Sequence, residues 1–176
     1  PILDSLGIDK NKPEKQQRNQ TGSPILEEGD ILLNTTLAET NDWQQVDLPV
    51  MRTLRHFCIE TLSSYTEDNQ ACISEVDLLD DKGQPIDKTK WEVVYVSSEQ
   101  ADKNLGIAEN LFDGDISSFW HTDPATEPGQ PHRIIVDIKE IYKISALRFK
   151  VRKGAFLSGK VKEINVYGRP QFFLFH

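Results

Sequence analysis

Short apolar stretches separated by turn-forming residues run along the chain from Ile31 onward. In HFCIETL, the residues Phe57, Ile59 and, less regularly, Leu62 follow the two-residue alternation of a half-buried strand. The other stretches of this texture are ILLNTTL, WQQVDLP, ACISEVDLLD, WEVVYVSS, HRIIVDI, YKISALRFKVR, KVKEINVY and QFFLF. Clusters of Asn, Asp, Gly and Pro lie between them, as in DDKGQPID. We therefore predict an all-β sandwich of many short strands, with no helix beyond a turn near 105–111.

The first 23 residues have a different texture. A short apolar patch, PILDSLGI, leads into KNKPEKQQRNQTGSP, which is polar, lacks periodicity and contains two prolines. Such a sequence predicts a linker or an extended segment in residues 1–23. The remainder, 24–176, has the length of one domain. Because the chain starts at Pro1, we expect it to come from a longer or processed polypeptide that carries other domains.

The charge balance narrows the classes of partner. Asp and Glu number 28 against 20 Lys and Arg, for a net charge of -8. Nucleic acids and anionic membrane surfaces require basic patches, so they are disfavoured as partners. No apolar run approaches the ~18 residues of a membrane span, and membrane insertion is not expected. Neutral ligands fit this composition better.

The two cysteines, Cys58 and Cys72, leave two alternatives open. Both lie in strand-like, apolar surroundings. Two cysteines are too few to define a disulfide framework, and a bridge and two buried thiols are equally compatible with the pattern.

The stretch AENLFDGDISSFWHT, residues 108–122, concentrates the chemistry of the chain. Asp-Gly-Asp followed by Ser-Ser predicts a turn, because Gly114 permits backbone angles that other residues resist and the short polar side chains bond locally. Closely spaced oxygen ligands also suit a hard cation such as calcium. Composition alone is compatible with both a solvated turn and a calcium loop.

This stretch, followed by PHRIIVDIKEIYKISALRFKVRKG and SGKVKEINVYG, resembles the discoidin, or coagulation factor 5/8 type C, domains. It is most similar to the galactose-binding carbohydrate modules (family 32) of bacterial glycan-degrading enzymes. The resemblance covers most of Ala71 to Tyr167. It implies a galactose-binding-domain-like jelly-roll sandwich with antiparallel strands.

The order of the segments departs from that family. The segment DWQQVDLPVMRTLRHFCIETLSS resembles the part that closes the family's domain, but here it precedes the rest. We interpret this order as a circular permutation, since sandwich termini lie close together at the surface and can be joined at little cost. The alternative is the tail of one module followed by the head of another.

The resemblance also implies a structural calcium site. Its ligands map onto Asp113, the backbone carbonyls around Leu111 and Asp115, the Ser118 hydroxyl and Glu75 from a distant strand. Ser118 stands where the family more often has threonine, and keeps the hydroxyl. The calcium is expected to pin the loop and to take no part in catalysis.

A sugar site is implied at a different set of residues. The family's histidine and arginine donors correspond to His121 and Arg152, whereas Ser158 stands where the family has an asparagine. The family's aromatic platform is also absent, because Pro124 occupies its position. Tyr65 and Phe156 are the candidate replacements for the ring that packs on a sugar face. Trp120 is expected in the core, and Trp43 and Trp91 are expected to pack at strand ends.

No catalytic motif is evident in the sequence, so we do not expect an enzyme. Two functions remain. The first is a secreted or cell-surface, calcium-stabilised module that binds neutral galactose-type glycans within a larger glycan-processing protein. The second is a structural or protein interaction domain on the same sandwich with a decayed sugar site.

Overall fold

The computed structural model describes residues 18, 22–66, 68–125, 129–151 and 159–176, and these residues form an antiparallel β structure. The strands are β1 (Pro24–Ile25), β2 (Ile31–Thr36), β3 (Gln44–Thr61), β4 (Cys72–Ile73), β5 (Glu75–Asp80), β6 (Glu92–Val96), β7 (Trp120–His121), β8 (His132–Lys150), β9 (Glu163–Arg169) and β10 (Leu174–Phe175). Three short 3-10 helices span Glu28–Asp30, Asp102–Asn104 and Ala108–Phe112. The prediction of an all-β antiparallel fold is confirmed.

Two long strands, β3 and β8, replace four short predicted ones. β3 contains most of the stretches WQQVDLP and HFCIETL, and β8 contains HRIIVDI and most of YKISALRFKVR. They pair with each other along most of their length. Four residues of β3, 48–51, lie opposite the single residue Ser145, and four residues of β8, 138–141, lie opposite Arg55. Pro49, which has no N–H to donate, falls inside the first bulge, where the ladder does not need it. The expected strand breaks are therefore bulges within continuous strands.

The bulges divide the sheet into two parts that share β3 and β8. One part has the order β2, β9, β3, β8 and β6, and in the other β5 pairs with the second half of β8. Strands that bend at bulges pass from one layer of a sandwich to the other. Buried aromatic and aliphatic side chains fill the centre, including Phe57, Trp91, Trp120, Leu147 and Phe149.

The segment that resembles the closing part of the family's domain and the segments that follow it in this chain fold into one β structure. β3 pairs with both β8 and β9, and β2 pairs with β9, so strands before residue 62 are interleaved with strands after residue 131. Near the ends, β1 pairs with β10. Circular permutation stays a prediction.

Arg18 contacts the domain. It lies in the segment predicted as a linker and is the residue of 1–21 that the structure describes. Its Nε lies 2.7 Å from Glu99 Oε2, and its Nη2 bonds the Glu109 carboxylate. The segment is therefore attached to the domain at this point by charge.

The three tryptophans occupy different environments. Trp120 and Trp91 are buried, as expected. Trp43 is 37% exposed, and the Arg148 guanidinium lies 4.9 Å from its ring centroid. Trp43 therefore packs against a cation at the surface and not within the apolar core.

Both cysteines are buried thiols that are not joined by a disulfide. Burial strongly raises the pKa of the Cys58 thiol, and the nearby Glu60 acts in the same direction. Of the two alternatives that the sequence left open, the structure has the two thiols. Separately, no helix among the described residues has the length and apolarity to cross a membrane.

Candidate functional site

The acidic turn follows the 3-10 helix Ala108–Phe112 and is built by local hydrogen bonds. Asp113 Oδ1 accepts the Asp115 N–H over 2.9 Å, and Asp115 Oδ1 accepts the Ser117 N–H over 2.9 Å. Between them Gly114 has a φ of 79°, which glycine adopts without a steric penalty. Ser118 Oγ donates to Asp113 Oδ2 over 2.5 Å and lies 3.0 Å from the Asp115 carbonyl oxygen. The sequence DGDISS therefore gathers carboxylate, hydroxyl and carbonyl oxygens in one turn.

Glu75 reaches this turn from the start of β5. Its Oε2 accepts the Gly114 N–H over 3.1 Å. Its other carboxylate oxygen, Oε1, is buried and has no hydrogen-bond partner. Burial raises the pKa of the Glu75 carboxyl to about 8; Asp113 adds to the rise, whereas Lys88 and the Gly114 N–H oppose it. A buried carboxyl with one unpartnered oxygen beside a second carboxylate indicates a shortage of positive charge.

Lys88 is the cationic side chain that contacts Glu75. Its Nζ donates to Glu75 Oε2, to Asp77 Oδ1 over 2.6 Å and to the Val76 carbonyl oxygen over 3.2 Å. Sequence reasoning missed Lys88, because nothing in DDKGQPIDKTK sets it apart from Lys82 or Lys90. Its role depends on how the loop after β5 folds back.

The oxygen atoms of the turn are of the kinds that bind calcium. Calcium accepts carboxylate, hydroxyl and backbone carbonyl oxygens in flexible geometry. Glu75 Oε1 is available, and the Asp113, Ser118 and Asp115 oxygens lie together in the turn. Within the described ranges, no group of three or more His, Cys, Asp or Glu side chains is placed to hold a metal. Hydroxyl and carbonyl groups must therefore supply most of any coordination.

A cavity of about 550 Å³ opens beside this turn. Phe112, Ile86 and Pro85 form its apolar lining, and its polar lining includes Lys88 and Asp113. His121 and Tyr65 are not among the residues that line it. The cavity therefore belongs to the acidic turn and not to the predicted sugar site.

The predicted sugar ligand His121 lies in β7, which pairs with β4 through Cys72 opposite His121. The histidine is 4% exposed, and its Nδ1 lies 2.5 Å from the Thr122 carbonyl oxygen. This contact requires a proton on Nδ1. The imidazole is therefore oriented by the backbone and shows only a small part of its surface to solvent.

Several loops meet at this end of the domain. Gly159 O accepts the Cys72 N–H over 2.8 Å, so Gly159 lies beside the residue that pairs with His121. The Gly159 N–H in turn donates to Thr66 Oγ1 over 2.9 Å. Thr122 Oγ1 donates to Gln70 Oε1 over 2.6 Å. Residues 62–66, 68–70, 121–122 and 159–160 therefore converge through buried and partly buried polar contacts.

Tyr65 lies in this group of loops but has structural partners. Its hydroxyl donates to the Leu37 carbonyl oxygen over 2.7 Å, and Lys162 Nζ lies 5.4 Å from its ring centroid. The ring is partly buried. Tyr65 therefore has one face near a cation and its hydroxyl already bonded.

Three predicted ligands, Arg152, Phe156 and Ser158, lie outside the described residues. Sequence reasoning missed Asn69, an exposed residue with a φ of 58° whose carbonyl oxygen accepts a hydrogen bond from His132. Asn69 precedes Gln70, which bonds Thr122 next to His121. An Asn within a polar loop was the available signal, since Asn adopts left-handed backbone angles more readily than most residues, but its link to β7 through Gln70 and Thr122 depends on the tertiary fold.

Part of the chain matches a known domain family. Residues 93–171 match the F5/8 type C domain. The chain is also 33% identical over 84 residues to a sialidase of Micromonospora viridifaciens. This alignment covers 47% of the chain but 13% of the sialidase, so the chain spans a small part of that relative. F5/8 type C domains are non-catalytic binding domains with a galactose-binding-like β-sandwich. The match over 93–171 and the antiparallel sandwich together show that this part of the chain is similar to an F5/8 type C, or discoidin-type, domain.

Proposed function

We propose that this domain is a non-catalytic carbohydrate-binding module that recognises neutral galactose-type glycans. In this proposal it belongs to a larger secreted or cell-surface protein that processes glycans. The observation that carries the proposal is the convergence of residues 62–66, 68–70, 121–122 and 159–160 around β7, which holds His121. The likeness of half the chain to part of a sialidase supports a role beside a glycan-processing enzyme.

The proposed site takes its donors from His121, Arg152 and Ser158, and we add Asn69. A pyranose is recognised by a few fixed polar groups and one aromatic face. Tyr65 and Phe156 remain the proposed rings. Asn69 is exposed at the same end of the domain and supplies an amide, the group for which Ser158 is a substitute. A shallow site of this kind binds one sugar weakly and gains strength from linkage to other modules.

Calcium is proposed at the acidic turn as a structural ion. Glu75, Asp113 and Ser118 would hold it with the carbonyl oxygens of Leu111 and Asp115. The unpartnered Glu75 Oε1 supports this placement. The ion would supply positive charge that fixes the turn to β5, and sugar recognition would depend on it only through the shape of the domain.

A glycan array followed by calorimetry with galactose and N-acetylgalactosamine tests the sugar site. We expect binding by the wild type and its loss in His121→Ala and Arg152→Ala. Asn69→Gly, which keeps the left-handed backbone but removes the amide, should bind more weakly. Thermal melting of each variant separates a lost ligand from a lost fold. An array without signal for the wild type would reject the sugar-binding proposal.

An interaction domain is the second candidate, and the C-terminal residues favour it. Phe172 and Leu174 are 56% and 58% exposed. Phe172 stacks on His56 with ring centroids 4.2 Å apart, and the Phe175 ring lies 5.7 Å from Tyr95. Exposed aromatic and aliphatic side chains that lie together mark contact surfaces in many proteins. Loss of oligomer or domain contacts in Phe172→Ser and Leu174→Ser, with a silent glycan array, would support this candidate.

A further inference from the structure

Lys88 occupies an unusual position for a lysine on a surface loop. Its Nζ donates to a side-chain oxygen of Glu75, to Asp77 Oδ1 and to the Val76 carbonyl oxygen, so each of its three protons has an acceptor. Its side chain is 17% exposed, compared with 1% for Glu75. The ammonium is therefore held at the inner end of the loop and is not a mobile surface charge.

Asp77 has a second cationic partner besides Lys88. Its Oδ2 accepts a hydrogen bond from Arg148 Nη2 over 3.1 Å. Glu75 has no second cationic partner among the described residues, since its remaining contact on Oε2 is the Gly114 N–H. The Lys88 ammonium is thus the cation that compensates the buried Glu75 carboxylate.

We infer that Lys88 is an internal counter-ion for Glu75, the β5 residue that accepts the Gly114 N–H of the acidic turn, when calcium is absent, and that it weakens calcium binding when calcium is present. This inference rests on the proposed calcium site and extends it. Both cations would act on the same carboxyl group: the ammonium donates to Glu75 Oε2, while the buried Oε1 has no hydrogen-bond partner. A fixed positive charge a few ångströms from a divalent cation repels it in a partly buried site.

The consequence is a domain whose turn keeps its shape over a range of calcium concentrations. Without Lys88, Glu75 would keep the Gly114 N–H as its remaining donor among the described residues, beside the Asp113 carboxylate. A buried carboxyl group that loses its ion-pair and hydrogen-bond partner is destabilising, whether it stays ionised or takes up a proton. The domain would then depend on calcium for its stability.

Lys88→Met tests this inference, because methionine keeps much of the aliphatic chain and removes the charge. Lys82→Met is the matched control, since Lys82 is exposed in the neighbouring turn. In a chelator we expect Lys88→Met to melt several degrees below the wild type and the control. With saturating calcium this gap should close, and calorimetry should show a calcium dissociation constant at least ~10-fold lower in Lys88→Met than in the wild type.

The outcomes separate this inference from the calcium proposal. If neither the wild type nor Lys88→Met responds to calcium, the calcium proposal fails and the repulsion part of the inference fails with it. The difference in melting temperature between Lys88→Met and Lys82→Met in chelator then tests by itself whether Lys88 acts as a counter-ion for Glu75. Equal melting of Lys88→Met and Lys82→Met in chelator would overturn that part, and an unchanged calcium affinity in Lys88→Met would overturn the repulsion part. Lys88→Arg should restore most of the stability, because it returns the charge.

Discussion

Gly106 and His121 touch through their backbones. The His121 N–H donates to the Gly106 carbonyl oxygen over 3.1 Å, and the Gly106 N–H donates to Gln100 O over 2.8 Å. A Cβ built on Gly106 would lie 2.9 Å from the His121 Cβ and 3.0 Å from its backbone nitrogen. The position of the predicted sugar ligand therefore depends on a residue without a side chain, fifteen positions earlier in the chain.

Gly106→Ala should displace β7 and reduce both stability and sugar binding. The added methyl meets backbone and Cβ atoms, which cannot rotate away, so we expect a loss of about 1–3 kcal/mol in the free energy of unfolding. Urea unfolding measures the loss, and calorimetry with galactose measures the binding. Gly29→Ala is the control, because a Cβ there has nothing within 4 Å. Equal stability in the two variants would show that the contact with His121 is not constraining.

Gly159 makes a similar close approach to the strand that pairs with β7. Its φ is 76°, and a Cβ there would lie 3.0 Å from the Ala71 carbonyl carbon and 3.1 Å from the Cys72 nitrogen. Gly83 has nearly the same φ, 78°, but a Cβ on Gly83 would meet nothing within 4 Å. The pair therefore separates backbone conformation from crowding.

Gly83→Ala should lose about 1–2 kcal/mol of stability, the cost of a left-handed residue with a Cβ. Gly159→Ala should lose that amount and about 1–3 kcal/mol more, from the clash with residues 71 and 72. Chemical denaturation of both variants measures the difference. If the two losses are the same, Ala71 and Cys72 move aside without penalty.

The sequence was sufficient for the fold class but not for the continuity of the strands. Alternating apolar residues predicted strands, and the strands are present. The sequence predicts WQQVDLP and HFCIETL as separate strands, but Pro49 lies in a bulge and the backbone continues as β3. Local pattern cannot distinguish a bulge from a turn, because the difference depends on the pairing partner, here β8.

The candidate sites were predictable only as far as local sequence defines them. The DGDISS turn follows from Asx bonding and one glycine, and Glu75 was linked to it through the family resemblance. Lys88 and Asn69 were missed, since their importance arises from contacts across 12 or more residues of chain or from loop packing. Long-range electrostatic partners leave no periodic signal in a single sequence.

The two thiols provide a chemical test of the core. Cys58 and Cys72 form no disulfide and are almost fully buried. Burial raises the pKa of Cys58, and a thiol that stays protonated and shielded reacts slowly with alkylating agents. We expect little labelling by iodoacetamide in the native protein and labelling of two cysteines after denaturation without a reductant. A denatured protein that labels only after reduction would reveal a disulfide.

His56 lies beneath Phe172 with both ring nitrogens buried and without a hydrogen-bond partner. Burial lowers its pKa from 6.5; Asp137, whose Oδ1 is 3.7 Å from His56 Nε2, opposes this, whereas Arg55 and Lys139 contribute to the decrease. Arg169 faces it from β9. The folded state therefore holds the neutral imidazole more favourably than the protonated one.

The pH dependence of stability follows from this direction. The unfolded chain binds a proton at His56 below its ordinary pKa of 6.5, while the folded protein resists it. The contribution of His56 to stability is thus complete above pH 6.5 and is lost as the pH falls through the lower folded pKa. Burial also lowers the pKa of His132, which acts with the same sign, so part of the dependence should remain when His56 is replaced.

His56→Leu should therefore lose less stability than the wild type between pH 7.5 and pH 5. Leucine fills a similar volume beneath Phe172 and carries no titratable group. Urea unfolding at both pH values gives the two differences, and His176→Leu, at the exposed C-terminal residue, serves as the control. If the wild type and His56→Leu lose the same free energy of unfolding between the two pH values, the folded state accommodates protonation of His56, by movement of Phe172 or by closer approach of Asp137.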